Sequence, residues 1–418
     1  MASPEISQLL AAAQAADDQA AAYDSLIESL KSRSPPPTVE ADMKAIASAI
    51  FSNDLRVVAQ RALLEHFIVV LRHFNNTDLA TAVGQYTLDT IAAQPSATFL
   101  DQVAALRELV AEAHESNDDF LEAAKVLSEM PLDPAQRKVT DEERAAVWVR
   151  IVRNYLEVDD TTSAETYLNK LKIVIFDVAD PTLHLHFRLS QARIQDAKRE
   201  FLSASNAYHA ISLSPTVSED ERLHTLSMAA RCAILAPAGP LRSRALGSLY
   251  KDERAVNLDE FAILEKMFLD RLLESAEVGK FAQGLAPHQL ATTSDGSTVL
   301  AKAVVEHNLL AASRLYINIG FDALGELLGL DASRAEDTTA KMIEQGRLVG
   351  RIDQIELIIW FERGEASGEK GSGRAEVTVG KEMRQWDANV QSLAEDVENV
   401  TNALQREFPE FVAAHLVE

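Results

Sequence analysis

The chain has 418 residues, more than one ordinary domain needs, and 47% of them are hydrophobic, which is enough for a sizeable core. With 40 basic and 64 acidic residues its formal net charge is −24, which disfavours nucleic acid and anionic membranes and favours basic protein partners. The single Cys232 excludes an intramolecular disulfide and a cysteine-based zinc cluster and predicts a reducing cytosolic or nuclear environment. Neither a signal peptide nor a membrane span is predicted.

Residues 1–37 are predicted to form an N-terminal helix and a proline-rich linker. The Ala-rich stretch from Ile6 to Lys31 predicts one helix. Three consecutive prolines, ending at Pro37, must interrupt it, because a proline in a helix interior removes a backbone donor.

Residues 38–280 are predicted to form an α-helical solenoid. Apolar residues keep helical spacing there, and a period of about 40 residues places a small residue ahead of a bulky one in successive copies: Ala124 with Leu127, Ala164 with Tyr167, and Ala204 with Tyr208. A weaker fourth copy runs from Gly239 to Leu249. Small residues at helix crossings and large residues in the next groove are what stacked hairpins need, so we predict a TPR-like or HEAT-like array. An irregular helical domain with accidental spacing is the alternative.

One pair of histidines inside this segment resembles the metal ligands of a metalloprotease. His184 and His186 precede Asp196 with nine intervening residues, whereas the metalloprotease motif has ten and a proline after the second histidine. The surrounding apolar spacing predicts a helix, on which residues two apart point about 200° away from each other. No metal site is therefore predicted.

Residues 281–362 are predicted to form a winged helix. Helical spacing from Val299 to Leu315 gives way to a short strand ending near Ile319 and then to a helix that stops at Gly329. Asp331 or Ser333 can cap the next helix, which makes a helix-turn-helix.

A β-hairpin is predicted to follow. Leu348 to Ile352 and Ile355 to Phe361 are rich in β-branched and aromatic residues, with Asp353 and Gln354 as the expected tip. The helix before it carries Glu336, Asp337 and Glu344 as well as Arg334 and Lys341, so no basic stripe for DNA is predicted.

Residues 363–380 are predicted to be a Gly-rich linker. The stretch Gly368 to Ala375 resembles a phosphate-binding loop, but Arg374 and Ala375 stand where Lys and Ser or Thr are required. Residues 381–412 are predicted to form a C-terminal helix whose apolar stripe is typical of a coiled-coil or bundle seam: Met383, Trp386, Val390, Leu393, Val397, Val400, Leu404 and Phe408. Folding back onto its own domain and bundling with other subunits both remain open.

A solenoid, a winged helix and a C-terminal helix in this order resemble the PCI-domain family, with a PCI module at about residues 195–362. Members serve in the proteasome lid, the COP9 signalosome and a translation initiation factor. Four stretches resemble the subunit 4 family of the COP9 signalosome: residues 281–297, 305–310, 342–347 and Ile352-Asp353-Gln354. Leu357 to Trp360 depart from the pattern, since a less bulky strand is expected there.

The resemblance implies a non-catalytic scaffold subunit, without cofactor or metal, of the complex that removes a ubiquitin-like modifier from cullins. The implied partners are other signalosome subunits of PCI and MPN type and cullin-RING ubiquitin ligases, with no nucleic acid and no membrane, in the cytoplasm and nucleus. The resemblance also implies an assembly interface formed by the strands of the hairpin, at Leu348, Val349, Ile352, Ile355, Leu357, Ile359 and Phe361. A regulatory loop is implied at His288, Gln289, Thr292, Thr293, Asp295 and Gly296, and a helical-bundle interface along the C-terminal stripe.

Two other functions remain open on the sequence. A PCI subunit of the proteasome lid has the same domains, and the loop from Pro287 to Ser297 is the main feature against it. A winged-helix nucleic-acid-binding regulator belongs to a different class and is disfavoured by the net charge of −24.

Overall fold

The computed structural model describes residues 3–16, 18–33, 37–52, 55–93, 97–133, 137–292, 296–362, 374–409 and 411. The chain divides into two compact units, Met1–Lys198 and Arg199–Glu418. The fold is mostly α, as predicted, with one three-stranded sheet in the described residues. None of the helices in these ranges is long and apolar enough to cross a membrane.

The first unit is helical throughout its described ranges. Short 3₁₀ helices lie at Ala97–Phe99 and Ile175–Asp177. Its α-helices are α1 Pro4–Gln14, α2 Gln19–Arg33, α3 Val39–Ser52, α4 Val57–His73, α5 Thr77–Ala92, α6 Leu100–Ser116, α7 Phe120–Ser128, α8 Asp141–Glu157, α9 Thr161–Val174 and α10 Pro181–Ala197.

The N-terminal helix is interrupted, so the prediction of one helix from Ile6 to Lys31 is wrong. Helix α1 ends at Gln14 and α2 begins at Gln19. The Asp18 carboxylate accepts the backbone N–H of Ala21 at 3.2 Å, which caps the start of α2. An aspartate is a good N-cap and competes with the helix in an interior position, which explains the break.

The predicted helical repeats are confirmed by the packing of the first unit. Ala124 and Ala164 are fully buried, as is Leu127, and the half-buried Tyr167 ring stacks on Tyr155 with 6.1 Å between ring centroids. Similar polar contacts join successive pairs of helices. Arg150 of α8 donates to Glu115 of α6, 35 residues earlier, and Arg193 of α10 donates to Glu157 of α8, 36 residues earlier.

The turns inside successive hairpins share one backbone conformation. Asn75, Asp118 and Asp159 have φ of 48°, 60° and 59°, in the left-handed region. Asn and Asp tolerate this region better than other non-glycine residues do, because their short polar side chains bond locally. After Asp118 and Asp159, the N–H of the following residue donates to a carbonyl oxygen of the preceding helix, as from Asp160 to Tyr155 at 3.0 Å.

The second unit joins further helices to the winged helix. A 3₁₀ helix lies at Glu253–Asn257. The α-helices are α11 Phe201–Ser212, α12 Glu219–Leu235, α13 Pro240–Tyr250, α14 Phe261–Phe268, α15 Ser275–Ala282, α16 Pro287–Leu290, α17 Val299–Leu315, α18 Phe321–Leu328, α19 Ala332–Glu344 and α20 Arg374–Glu407. The strands are β1 Asn318–Gly320, β2 Gly350–Asp353 and β3 Ile358–Phe361.

The remaining repeat copies are helical as well. Ala204 and Tyr208 are buried in α11, and Ala245 and Leu249 are buried in α13. Each copy thus places its small and its large residue on the packed side of a helix, which is why the periodic pattern predicted the helices correctly.

The helix-turn-helix also agrees with its sequence pattern. Gly329 ends α18 in the left-handed conformation at φ 68°, and the Asp331 carboxylate accepts the N–H of Arg334 at 3.3 Å as the N-cap of α19. Ser333, the alternative cap, lies inside α19. Gly325 is needed at the tight turn, because a Cβ there would lie 2.7 Å from the Leu330 carbonyl oxygen.

The hairpin differs from the prediction in its tip. Strand β2 ends at Asp353 and β3 begins at Ile358, so residues 354–357 form the connection. The Asp353 carboxylate accepts the N–H groups of Ile355 and Glu356, each at 3.1 Å, and Leu357 is left-handed with φ 57°. This side-chain turn replaces the strand expected from Ile355 onward.

The C-terminal helix begins earlier than predicted. Helix α20 starts at Arg374, inside the range 363–380 predicted as a linker, and runs through Gly380 to Glu407. One glycine costs a helix about 1 kcal/mol relative to alanine, which good helix formers on either side offset. Residues 363–373 lie outside the described ranges.

We predict that Ala164→Leu lowers the free energy of unfolding by about 1–3 kcal/mol, because added methylenes in a close-packed helix crossing force its neighbours apart. Urea denaturation followed by circular dichroism measures this change. Thr162→Leu, at an exposed position of the same helix, is the matched control. Equal midpoints for the two variants would show that the small residue is not needed at the crossing.

Candidate assembly interface

A buried ion pair ties the start of the hairpin to α17 within the winged helix, and Ala238 connects this pair to the helices that precede it. The Glu306 side chain of α17 is 4% exposed, and both of its oxygens accept from the Arg347 guanidinium, one of them at 2.9 Å. Ala238, between α12 and α13, donates its N–H to the same carboxylate at 3.2 Å. Since Arg347 lies between α19 and β2, this contact fixes where the hairpin begins.

Further charged groups lie near this pair. Burial lowers the pKa of Arg242 to about 10, so this side chain remains cationic at pH 7, and it donates to the Ala236 carbonyl oxygen at 3.2 Å. Burial, aided by the charge of Arg242, lowers the pKa of His307 to about 4. The neutral imidazole donates its Nε2 proton to the Arg271 carbonyl oxygen at 2.8 Å. Within the described residues its Nδ1 has no hydrogen-bond partner.

We predict that His307 makes the second unit less stable in mild acid. An unfolded histidine titrates near pH 6.5 and the folded one at about 4, so the unfolded state binds more protons between these values. The stability present above pH 6.5 is then lost as the pH falls toward 4. His307→Gln should remove about 2 kcal/mol of the stability difference between pH 7 and pH 5.

Urea denaturation at the two pH values tests this. His224→Gln, which changes an exposed histidine of the same unit, is the matched control and should leave the pH dependence as it is in the parent chain. An identical loss of stability in the His307 variant and the parent would contradict the assignment.

The predicted strand interface is only partly exposed. Leu348, Ile359 and Phe361 are buried in the winged-helix core, so the prediction that they form an assembly surface is wrong. The sheet order is β1-β3-β2, which makes β3 the central strand with both edges hydrogen-bonded. Alternate residues of β3 therefore face the helices, and strand pairing with another chain is possible only at the outer edges of β1 and β2.

The other predicted strand residues lie nearer to solvent. Val349 and Ile352 are half-buried, while Ile355 and Leu357 in the hairpin connection are 93% and 55% exposed. The sequence analysis missed a second exposed apolar stretch just before β1, formed by Leu315 and Ile317 at 67% and 68%. Its signal was present, because apolar residues continue past the last buried position of α17.

The apolar stripe of α20 is open to solvent. Its large side chains are between 38% and 64% exposed at every predicted position whose side chain is described: Trp386, Val390, Leu393, Val397, Val400, Leu404 and Phe408. The side chain of Met383 lies outside the described set. Helical spacing places these residues on one face, so α20 presents a continuous apolar surface.

The predicted regulatory loop begins with an ordered turn. His288 and Gln289 lie in α16, and Gln289 is buried with its side-chain oxygen accepting the Ala286 N–H at 3.2 Å. Gln289 is therefore a packing residue, and its prediction as a loop contact is wrong. Thr292 and Thr298 form an isolated antiparallel β-bridge. Gly296 has a φ of 75°, in the region where glycine is favoured. Thr293 and Asp295 lie outside the described residues.

The two histidines with near-metalloprotease spacing lie in α10, as predicted. Nε2 of His184 is 2.9 Å from the Val178 carbonyl oxygen, which ties this ring to the preceding turn. Across the described ranges, no three His, Cys, Asp or Glu side chains are grouped so that they could hold a metal ion.

Two protein families match the chain along its length. Residues 4–220 match the family described as PSMD12/CSN4, N-terminal, and residues 262–363 match the PCI domain family. The second match covers the winged helix and ends just after β3.

Curated relatives match almost the whole chain. COP9 signalosome complex subunit 4 of Neurospora crassa is 58% identical, over 99% of this chain and 99% of its own length. The chain belongs to the COP9 signalosome subunit 4 family. The protein of the same name from Emericella nidulans is 49% identical over 90% of this chain and 91% of its own length, and that of Arabidopsis thaliana is 37% identical over 85% and 87%.

The predicted family is thereby confirmed. The PCI domain alone would fit a proteasome-lid subunit as well. The subunit 4 relatives from Neurospora crassa and Emericella nidulans match at least 90% of this chain and of their own lengths, which decides against that alternative.

Proposed function

We propose that this chain is a non-catalytic scaffold subunit of the COP9 signalosome and that it joins the other PCI and MPN subunits through its winged helix and α20. The single observation that supports this most strongly is the open apolar face of α20. Burying each large apolar side chain contributes about 1.5–3 kcal/mol, so a partner that covers this face gains substantial free energy.

The form of α20 favours helices as that partner. Residues three and four apart alternate along the stripe, which is the seam of a coiled coil or helical bundle. A long helix with such a face gains most of its stability from packing against other helices. The outer edges of β1 and β2 supply a second, polar mode of contact through backbone hydrogen bonds.

We predict that alanine at four stripe positions releases this chain from the complex and leaves it folded, because alanine preserves helix propensity and removes the buried area. Co-purification of the remaining subunits with the tagged variant measures the loss. The changes are Leu393→Ala, Val397→Ala, Val400→Ala and Leu404→Ala.

Four uncharged exposed positions on the other side of α20 provide the matched control. Both variants should keep the circular dichroism of the parent, and the control should keep all partners. Undiminished co-purification of the stripe variant would refute the scaffold role of this face. The control changes are Ser392→Ala, Asn399→Ala, Asn402→Ala and Gln405→Ala.

We also propose that the chain contributes to recognition of cullin-RING ligases and to activation of cullin deneddylation, in both the cytoplasm and the nucleus, without a catalytic site of its own. The net charge of −24 supports contact with basic surfaces of the ligase, because complementary charges speed and orient association. The same charge disfavours binding to nucleic acid.

We propose that the loop between α16 and α17 transmits the effect of substrate binding to the catalytic subunits. Its base is closed by the β-bridge between Thr292 and Thr298 and by the buried Gln289, and a change confined to residues 293–297 leaves these residues in place.

We predict that replacing residues 293–297 by a short Gly-Ser segment changes the basal deneddylation rate of the reconstituted complex by at least about twofold, or ~0.4 kcal/mol in barrier height, and leaves assembly intact. Initial deneddylation rates, measured on a free substrate and on a cullin-bound substrate, test this. Gln289→Ala is the contrasting variant, expected to lower stability instead. Unchanged rates on both substrates would speak against a relay through the loop.

A further inference from the structure

A cleft of about 470 Å³ lies between α17 and α19 of the winged helix. Pockets of this size accommodate a few side chains of a peptide or a small ligand. Neither β1 and β2 nor α20 forms its walls, so it is separate from the surfaces assigned above to assembly, although Gly296 and Ser297 of the loop before α17 also line it.

The rim of the cleft carries cations without acidic partners. Lys302, Arg334 and Lys341 are exposed, and among the described residues no carboxylate lies within ion-pair distance of them. A fourth cation, Arg347, is neutralised by Glu306 at the inner end. Since Arg347 is paired with Glu306, the lining sets these three cations against the single carboxylate of Asp337, so the cleft is positive in a chain with a net charge of −24.

The floor of the cleft is apolar. Val305, Leu330 and Met342 line it, and Met342 also belongs to the winged-helix core. A bare anion such as phosphate would pair with the rim and leave this floor in contact with water. An occupant that gains from both parts has to carry negative charge together with an apolar side chain.

We propose that this cleft docks a short acidic segment of a partner protein, with one bulky apolar side chain on the floor and carboxylates against Lys302, Arg334 and Lys341. Charge complementarity at the rim orients the segment, and the apolar contact supplies burial. The proposal goes beyond the scaffold role, because it names a peptide-binding site that assembly through α20 does not use.

A peptide fits the cleft better than nucleic acid does. Asp337 lies on its wall, and Glu336 and Glu344 share α19 with the rim cations, so a phosphate backbone following this helix meets repulsion. Nucleic-acid bases would also have to reach the floor. A short acidic peptide can place its few carboxylates at the three cations without following α19, so it brings less negative charge next to Asp337 than a phosphate backbone does.

A peptide array tests the proposal with the full-length chain as probe. The array carries acidic peptides with one central Leu, Phe or Ile, the same peptides with Ser at that position, and basic and neutral peptides of equal length. We expect enrichment of the acidic apolar class, and binding at least about tenfold weaker after Arg334→Glu with Lys341→Glu, since like charges then face each other.

The matched control is Arg244→Glu with Lys251→Glu, which makes the same charge change at exposed positions outside the cleft and should bind as the parent does. Equal binding of all peptide classes, or equal binding by both double variants, would overturn the proposal. Salt-dependent retention of a duplex oligonucleotide that only the cleft variant loses would instead assign the cleft to nucleic acid. Retained co-purification with the other subunits separates this result from a failure of assembly.

Discussion

The arrangement of the second unit depends on the pairing of Glu306 with Arg347. Two charges at such a buried position lose most of their hydration. The bidentate contact, the Ala238 N–H and the further hydrogen bonds from Arg347 to the Gln345 side chain compensate for it. Removing one partner of such a pair typically costs about 3–5 kcal/mol, because the other charge is left buried and unpaired. The pair is therefore less a source of net stability than a constraint that fixes the hairpin relative to α13 and α17.

That constraint determines which surfaces remain available. With Arg347 held on Glu306, the hairpin places β3 between β1 and β2, and Ile359 and Phe361 pack into the core. The outer strand edges, the connection at Ile355 and the cleft between α17 and α19 remain open on the winged helix. Helix α20 adds an apolar face of a different kind, suited to burial against other helices.

The helical repeats show how an acidic chain builds an ordered array. Small residues such as Ala164 allow close helix crossings, and polar contacts such as Arg150 with Glu115 join one hairpin to the next. Partly exposed pairs of this type contribute little each, so the apolar crossings carry most of the stability. Many of the other acidic side chains are exposed, whereas Asp42, Asp196 and Glu260 are buried.

The sequence by itself determined the elements whose signals are local. The period of Ala124, Ala164 and Ala204 predicted the hairpins, and Gly329 with Asp331 marked the helix-turn-helix, because small residues at crossings and caps act within one turn. Only the tertiary structure decided which strand is central, that Gln289 is buried, and that Arg334 and Lys341 stand beside Lys302 at one cleft. Strand order and the meeting of distant helices depend on long-range packing, which a periodic pattern does not encode.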